Sequence, residues 1–200
     1  MLIKTVFSDK HSAFIITLFV LLFSVSIDAR QLDDVSFPDS VTLDGTDTAL
    51  QLNGMGYRTR FIFKVYVAAL YTQAKVNSRD AVQALTGAKR IAMHMVYDEV
   101  SRKKMAAAWN DGFAENTTDE QLEKLKTRLQ TFISYFPDLT AGNVVLLDYI
   151  PQKGTRVTIN GEHKGVIEGS DFYTTLLDVW LGEEPADESL KQSLLGLAEE

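Results

Sequence analysis

The chain of 200 residues contains no cysteine. No disulfide can stabilise it, and no lipid-modified N-terminal cysteine can anchor it. Histidine is scarce: His11, His94 and His163 stand alone, with no second histidine at ligand spacing. A metal site therefore has no donor set, and no metal or other cofactor is expected. No GxSxG elbow, P-loop or dinucleotide fingerprint occurs. Aspartate and glutamate are plentiful, but none is set apart by its spacing, and a stretch such as EQLEKLK reads as a solvated helix face. The chain also lacks a surplus of positive charge. Its net charge of -7 argues against nucleic acid and against an anionic membrane surface as partners. Repeats and low-complexity tracts are absent.

The longest apolar run, AFIITLFVLLFSV from Ala13 to Val25, falls short of the ~20 residues that span a bilayer. Lys4, Lys10 and His11 precede it. SIDA follows, with Ala29 at a cleavage position and Ile27 two residues before it. A basic start, a short apolar core and a small residue at the cut describe a secretory signal peptide over residues 1–29. An uncleaved anchor is the alternative. Lys4 and Lys10 balance Asp9 and Asp28, so cleavage leaves the net charge unchanged. The expectation is one exported domain over residues 30–200, periplasmic or secreted, long enough to bury a sizeable core and without a membrane span after cleavage.

Along that domain, residues 30–45 suit a lead-in with a short strand or two. TALQLNGMG, from Thr48, alternates as a strand, and its glycines imply a bulge or a close backbone approach. FIFKVYVAALYTQ, from Phe61, reads as the strongest strand. Both of its faces are apolar beyond Lys64, so it should be covered on both sides. A short helix capped by Asn77 or Ser78 follows, then the strand RIAMHMVY. SRKKMAAAWNDGF has helical spacing, with Met105, Ala108, Trp109, Gly112 and Phe113 on one face. Thr118 and Gln121 form a capping box for a helix that Pro137 closes. Two strands and an Asn160-Gly161 hairpin signal come next. A helix capped by Ser170 and a last helix from ADESLKQ end the chain. The class is α+β, with antiparallel groups of strands and inserted helices.

One stretch raises a chemical question. In GMGYRTRFIFKVYVAALY, Arg58 and Arg60 lead directly into apolar residues. They either sit at the solvent end of a strand or hold a cation at the mouth of an apolar pocket. GMGYRT with FIFKVYVAALYTQ, DEVSRKKM at residues 98–105, and FYTTLLDVWLGEEPADESLKQSLLG together resemble the chalcone isomerase-like family. The resemblance implies an open-faced β-sandwich: a large antiparallel sheet with a helical layer and a ligand cleft between. In plant chalcone isomerases an arginine holds an anionic oxygen, and two threonines, a tyrosine and an asparagine line the cleft. Position by position, the arginine matches Arg58. The first threonine falls on Tyr66, the tyrosine on Val100, the asparagine on Ala107 and the second threonine on Val179.

Only the arginine survives, and valine and alanine offer no side-chain hydrogen bond. Noncatalytic, fatty-acid-binding members of that family likewise keep the arginine and carry a tyrosine at the threonine position. The resemblance therefore implies a noncatalytic exported protein that binds a small anionic apolar ligand such as a fatty acid, through Arg58 and Tyr66, with no catalytic residues. Arg60 is the reserve if the register shifts. The alternatives are an isomerase or lyase recruiting Tyr66, Tyr97, Lys64 or His94, and a module whose surface binds an unknown protein partner. The segment from Arg58 to Tyr66 is shorter than its plant counterpart. On one straight strand the two side chains would lie about 26 Å apart; they can meet only if the chain turns near Thr59 to Phe61.

Overall fold

The computed structural model describes residues 29–198. Apart from Ala29, the expected signal segment lies outside the described residues. The lead-in forms three short strands rather than one or two: β1 (Ala29–Leu32), β2 (Val35–Pro38) and β3 (Ser40–Thr42). Among the described residues β1 and β2 pair only with each other. Then come β4 (Ala49–Arg60), β5 (Phe63–Thr72), α1 (Arg79–Ala84), β6 (Lys89–Met95) and β7 (Glu99–Val100). Two antiparallel helices follow, α2 (Arg102–Glu115) and α3 (Asp119–Ser134), with β8 (Leu139–Thr140) after them. β9 (Val144–Ile150), β10 (Gly154–Ile159), β11 (Glu162–Ile167), α4 (Ser170–Leu181) and α5 (Glu188–Leu194) complete the chain.

Seven of these strands make one antiparallel sheet in the order β11-β10-β9-β6-β5-β4-β3. The alternation of β5 divides its side chains between two cores, as its doubly apolar pattern requires. Tyr66, Ala68 and Leu70 point into the larger core under the helices. Val67, Ala69 and Tyr71 join Val35, Phe37, Leu43, Leu50 and Leu52 on the other face. The helical layer is knit by aromatic edges: Trp109 meets Phe132, Phe136 and Trp180 at centroid distances of 5.1, 5.4 and 5.6 Å. The capping box at Thr118 and Gln121 forms as expected. Asn160 and Gly161 both take positive φ in the β10–β11 turn, which is what a type I′ turn demands.

One expected boundary is met and two differ. Ser78 caps α1, through its side chain to the Ala81 N–H. Gly169, not Ser170, stands at the start of α4, at φ 93 and with no side-chain cap. The strongest strand begins at Phe63, because Arg60 pairs with Phe63 and leaves Phe61 and Ile62 as a two-residue turn. Nothing in their chemistry signals a turn: both are strand formers, and Phe61 sits at φ 57.

Both meanings of the β4 glycines are realised. A bulge lies between Leu52 and Gly54. Beyond it Gly54 and Gly56 face α5, so close that a Cβ on Gly54 would stand 2.0 Å from the Ser193 carbonyl oxygen. Gly54→Ala must therefore push α5 off β4. Overpacking of this kind costs roughly 1–3 kcal/mol, and a lowered urea midpoint with an unchanged slope is the expected result.

Candidate functional site

The turn at Phe61 and Ile62 folds β5 back on β4 and makes Arg58 and Tyr66 direct cross-strand partners. The distance set by a straight strand disappears, and both residues lie on the helix-facing side of the sheet. They line a cleft of about 690 Å³ between the β4–β5 hairpin, α2 and the segment after α4. That volume falls within the ~300–1,000 Å³ common for small-molecule sites. Its walls are largely apolar: Phe63, Val65, Met93, Val100, Met105 and Val179. Arg60 and Lys104 are among the lining residues, and so are Glu99, Asp111 and Glu115.

Arg58 is mostly covered, at 21 % side-chain exposure, and has a carboxylate nearby. Its Nη1 lies 3.9 Å from Asp187 Oδ2 and also donates to the Thr59 carbonyl. Asp187 is held by the backbone: it accepts from Leu190 N–H at 3.1 Å as the cap of α5, and from Thr59 N–H at 2.8 Å. A carboxylate tied by two N–H groups approaches the guanidinium without closing a bidentate pair, so Arg58 keeps donors for another anion.

Tyr66 is buried, and its hydroxyl accepts a 3.0 Å hydrogen bond from the Trp180 indole N–H. Burial pushes its pKa up to about 12, against the pull of the Trp180 bond and the Arg58 charge. The phenol is therefore neutral at any ordinary pH, and among the described residues no acceptor takes its proton. A third donor was not visible in the sequence. Trp109 lines the cleft, and its indole N–H is buried without a partner among the described residues. Buried donors are normally satisfied. Arg58, Tyr66 and Trp109 thus add hydrogen-bond donors to the lining of a largely apolar space, a combination that suits an anion with an apolar tail.

The remaining expected positions divide. Val100 and Val179 line the cleft, whereas Ala107 does not; its neighbour Ala108 does. Tyr97 lines it too, edge-on to Phe63 at 5.7 Å. Lys64 is turned away: its Nζ donates to Asp33 at 2.8 Å and sits 3.9 Å from the Tyr57 ring centroid. His94 pairs with Val67 on the opposite face of the sheet. The four residues that an enzyme reading would recruit are not gathered at one place. Among the described residues no group of three His, Cys, Asp or Glu side chains could hold a metal ion.

A wider depression of about 1020 Å³ lies behind β4, lined by Arg30, Asn53, Lys75 and Ser193 among others. Two of its polar side chains, Asn53 and Lys75, are engaged in holding the chain together. Asn53 donates to the Val76 and Leu194 carbonyls at 2.9 and 2.7 Å and accepts from Val76 N–H at 2.8 Å. Lys75 donates to the Leu52 and Asn53 carbonyls. This is a seam between α5 and the sheet.

The raised pKa of Tyr66 has a measurable sign. Its neutral form is preferred in the fold, so its contribution is intact below pH 10 and is lost as pH rises towards about 12, where the unfolded chain ionises first. Burial also raises Tyr71 and Tyr173, which add to the same slope. Tyr66→Phe should give a shallower alkaline fall in melting temperature than the unmodified chain. An identical slope would mean that Tyr66 is solvated.

Comparison with known proteins agrees with this architecture. No curated protein matches the sequence. Among solved structures, the crystal structure of an Arabidopsis thaliana fatty-acid binding protein superimposes with a TM-score of 0.63 at 18% identity, covering 84% of this chain and 96% of that one. The model of the chalcone isomerase-like family matches residues 29–196. With that match running from β1 to the end of α5, the chain belongs to the chalcone isomerase-like family.

Proposed function

We propose that this protein is an exported, noncatalytic carrier of a small anionic apolar ligand, with a fatty acid as the leading candidate. The observation that carries the reading is that Arg58, Tyr66 and Trp109 all line one largely apolar cleft, the Trp109 N–H having no partner among the described residues. A ligand carboxylate would take charge-assisted hydrogen bonds from the guanidinium and a further bond from the phenol. Its chain would lie against Val65, Met93, Met105 and Val179. The similar fold of a fatty-acid binding protein supports the same ligand class.

The absence of reaction follows from what the cleft walls can do. Of the polar positions of a plant isomerase cleft, the carbonyl-polarising tyrosine falls on Val100 and the second, lining threonine on Val179, and neither side chain can donate or accept. Tyr66 could not serve as a base, since burial keeps its proton in place. General acid–base and electrostatic assistance are each worth about 10²-fold or more in rate, and little of either is available here. Export is supported by the basic start, apolar run and Ala29 of the N-terminal segment.

Native mass spectrometry of protein recovered from the periplasm tests the reading directly, with Arg58→Ala beside it. A bound mass matching a fatty acid, absent from the variant, is the expected result. A ligand-free protein that also ignores added fatty acids would sink the carrier assignment. Asp187 offers a sharper check, because it competes with the ligand for Arg58. Asp187→Asn keeps a capping side chain while removing the competing charge. It should tighten fatty-acid binding roughly fivefold, the equivalent of a ~1 kcal/mol partly exposed ion pair. Affinity for the matching fatty alcohol should not change.

A further inference from the structure

We propose that the tip of the β4–β5 hairpin is a membrane-docking wedge, which inserts Phe61 and Ile62 into a lipid surface and sets the mouth of the cleft against it. Phe61 is 88% exposed, Ile62 85% and Phe63 51%, three consecutive apolar side chains in water. The other large exposed hydrophobics among the described residues, Val166 and Leu197, stand singly. Isolated apolar residues on a surface are ordinary; a contiguous protruding set marks an interaction site.

The backbone gives a second, independent reason. A two-residue hairpin turn favours glycine, asparagine or aspartate where φ is positive. Here the position is Phe61, at φ 57, followed by a β-branched isoleucine. An aromatic residue in that conformation is strained. The tip thus departs from turn chemistry and from surface chemistry at once, and local departures of this kind concentrate where function requires them.

The shape and the neighbours select lipid over protein. A stable protein interface needs about 800 Å² from each partner, which a convex two-residue tip does not present. A fluid bilayer needs only an apolar point with polar flanks. Arg60, which makes no ion pair among the described residues, flanks the tip at the depth of the lipid headgroups. Phe61 and Phe63 also line the cleft, so an acyl chain leaving the bilayer would enter it without crossing water. The net charge of -7 works against long-range attraction to anionic lipid, so the contact is driven by apolar insertion and should resist salt. The wedge stands on these observations whatever the cleft carries.

The test is flotation of the soluble protein recovered from cells with vesicles of phosphatidylethanolamine and phosphatidylglycerol, beside the double variant Phe61→Gly, Ile62→Asn. Positive φ at the first turn position alone describes a type II′ turn, which prefers glycine there, so the variant should melt at or above the temperature of the unmodified protein. Each buried apolar side chain is worth on the order of tenfold in partition. The protein should therefore float in high salt, and the variant at least tenfold less. Phe61→Trp should show a blue-shifted emission component when vesicles are added. Equal flotation of both proteins, or none of either, overturns the wedge. So does a dimer that forms only with the apolar tip and never floats, which would make the tip a contact between copies. Fatty-acid uptake in vesicle-free buffer is read separately: intact uptake in a variant that no longer floats leaves the carrier reading standing while supporting the wedge.

Discussion

The register of the β4–β5 hairpin is the constraint on which the rest of the site depends. With two residues in the turn, Arg60 must face Phe63, and after a bulge between Arg58 and Thr59, Arg58 faces Tyr66. A shift of one residue would carry each side chain of that strand to the other face of the sheet. Arg58 would then meet the core built on Leu50, Leu52 and Tyr71 instead of the cleft. The bulge is thus part of the site's geometry, since it brings a charged residue and a phenol onto the helix-facing side together.

The second determinant is how closely α5 approaches. Gly54 and Gly56 remove the side chains that would hold the helix away, and Ser193 and Leu190 occupy the space. The helix start is thereby fixed beside the hairpin, and its capping residue Asp187 receives the Thr59 N–H and faces Arg58. One carboxylate serves as helix cap, hairpin clamp and counterion.

Comparison with the other covered charges gives Arg58 its meaning. Asp148 is fully paired, with Arg90 and Arg156 at 2.5 and 2.8 Å across three strands. Asp178 takes two bonds from Arg79, at 2.7 and 2.8 Å, and ties α1 to α4. Removing one partner of such a pair leaves a buried charge exposed to its full desolvation cost. Arg58 is different: its counterion stands at 3.9 Å, in a cleft where Tyr66 and Trp109 also have a proton to give. These two pairs close; the one at the cleft stays open, as the proposed binding of an exchangeable anion would require.

Much of this was legible in the residues themselves. Periodicity marked the helices of α2 and α3, because a buried stripe at 3.6 spacing depends only on local geometry. The double apolar faces of β5 announced its two cores, and Asn160-Gly161 its turn. The glycines at 54 and 56 signalled a bulge or a close approach, though not which element would come near. Matching to a family singled out Arg58 and Tyr66. The turn at Phe61 and Ile62 was invisible, since both residues favour strand and the fold imposes the reversal on them. Trp109 looked like a core residue from its helical spacing, and whether its N–H finds an acceptor depends on neighbours from other elements. Asp187 lies 129 positions from Arg58 along the chain, and no local pattern joins them. Sequence determined most of the helix and strand segments and the buried stripe of the long helices. Tertiary structure alone decided the meeting of Arg58, Tyr66, Trp109 and Asp187, because their contacts follow from strand register and helix approach rather than from any short-range preference.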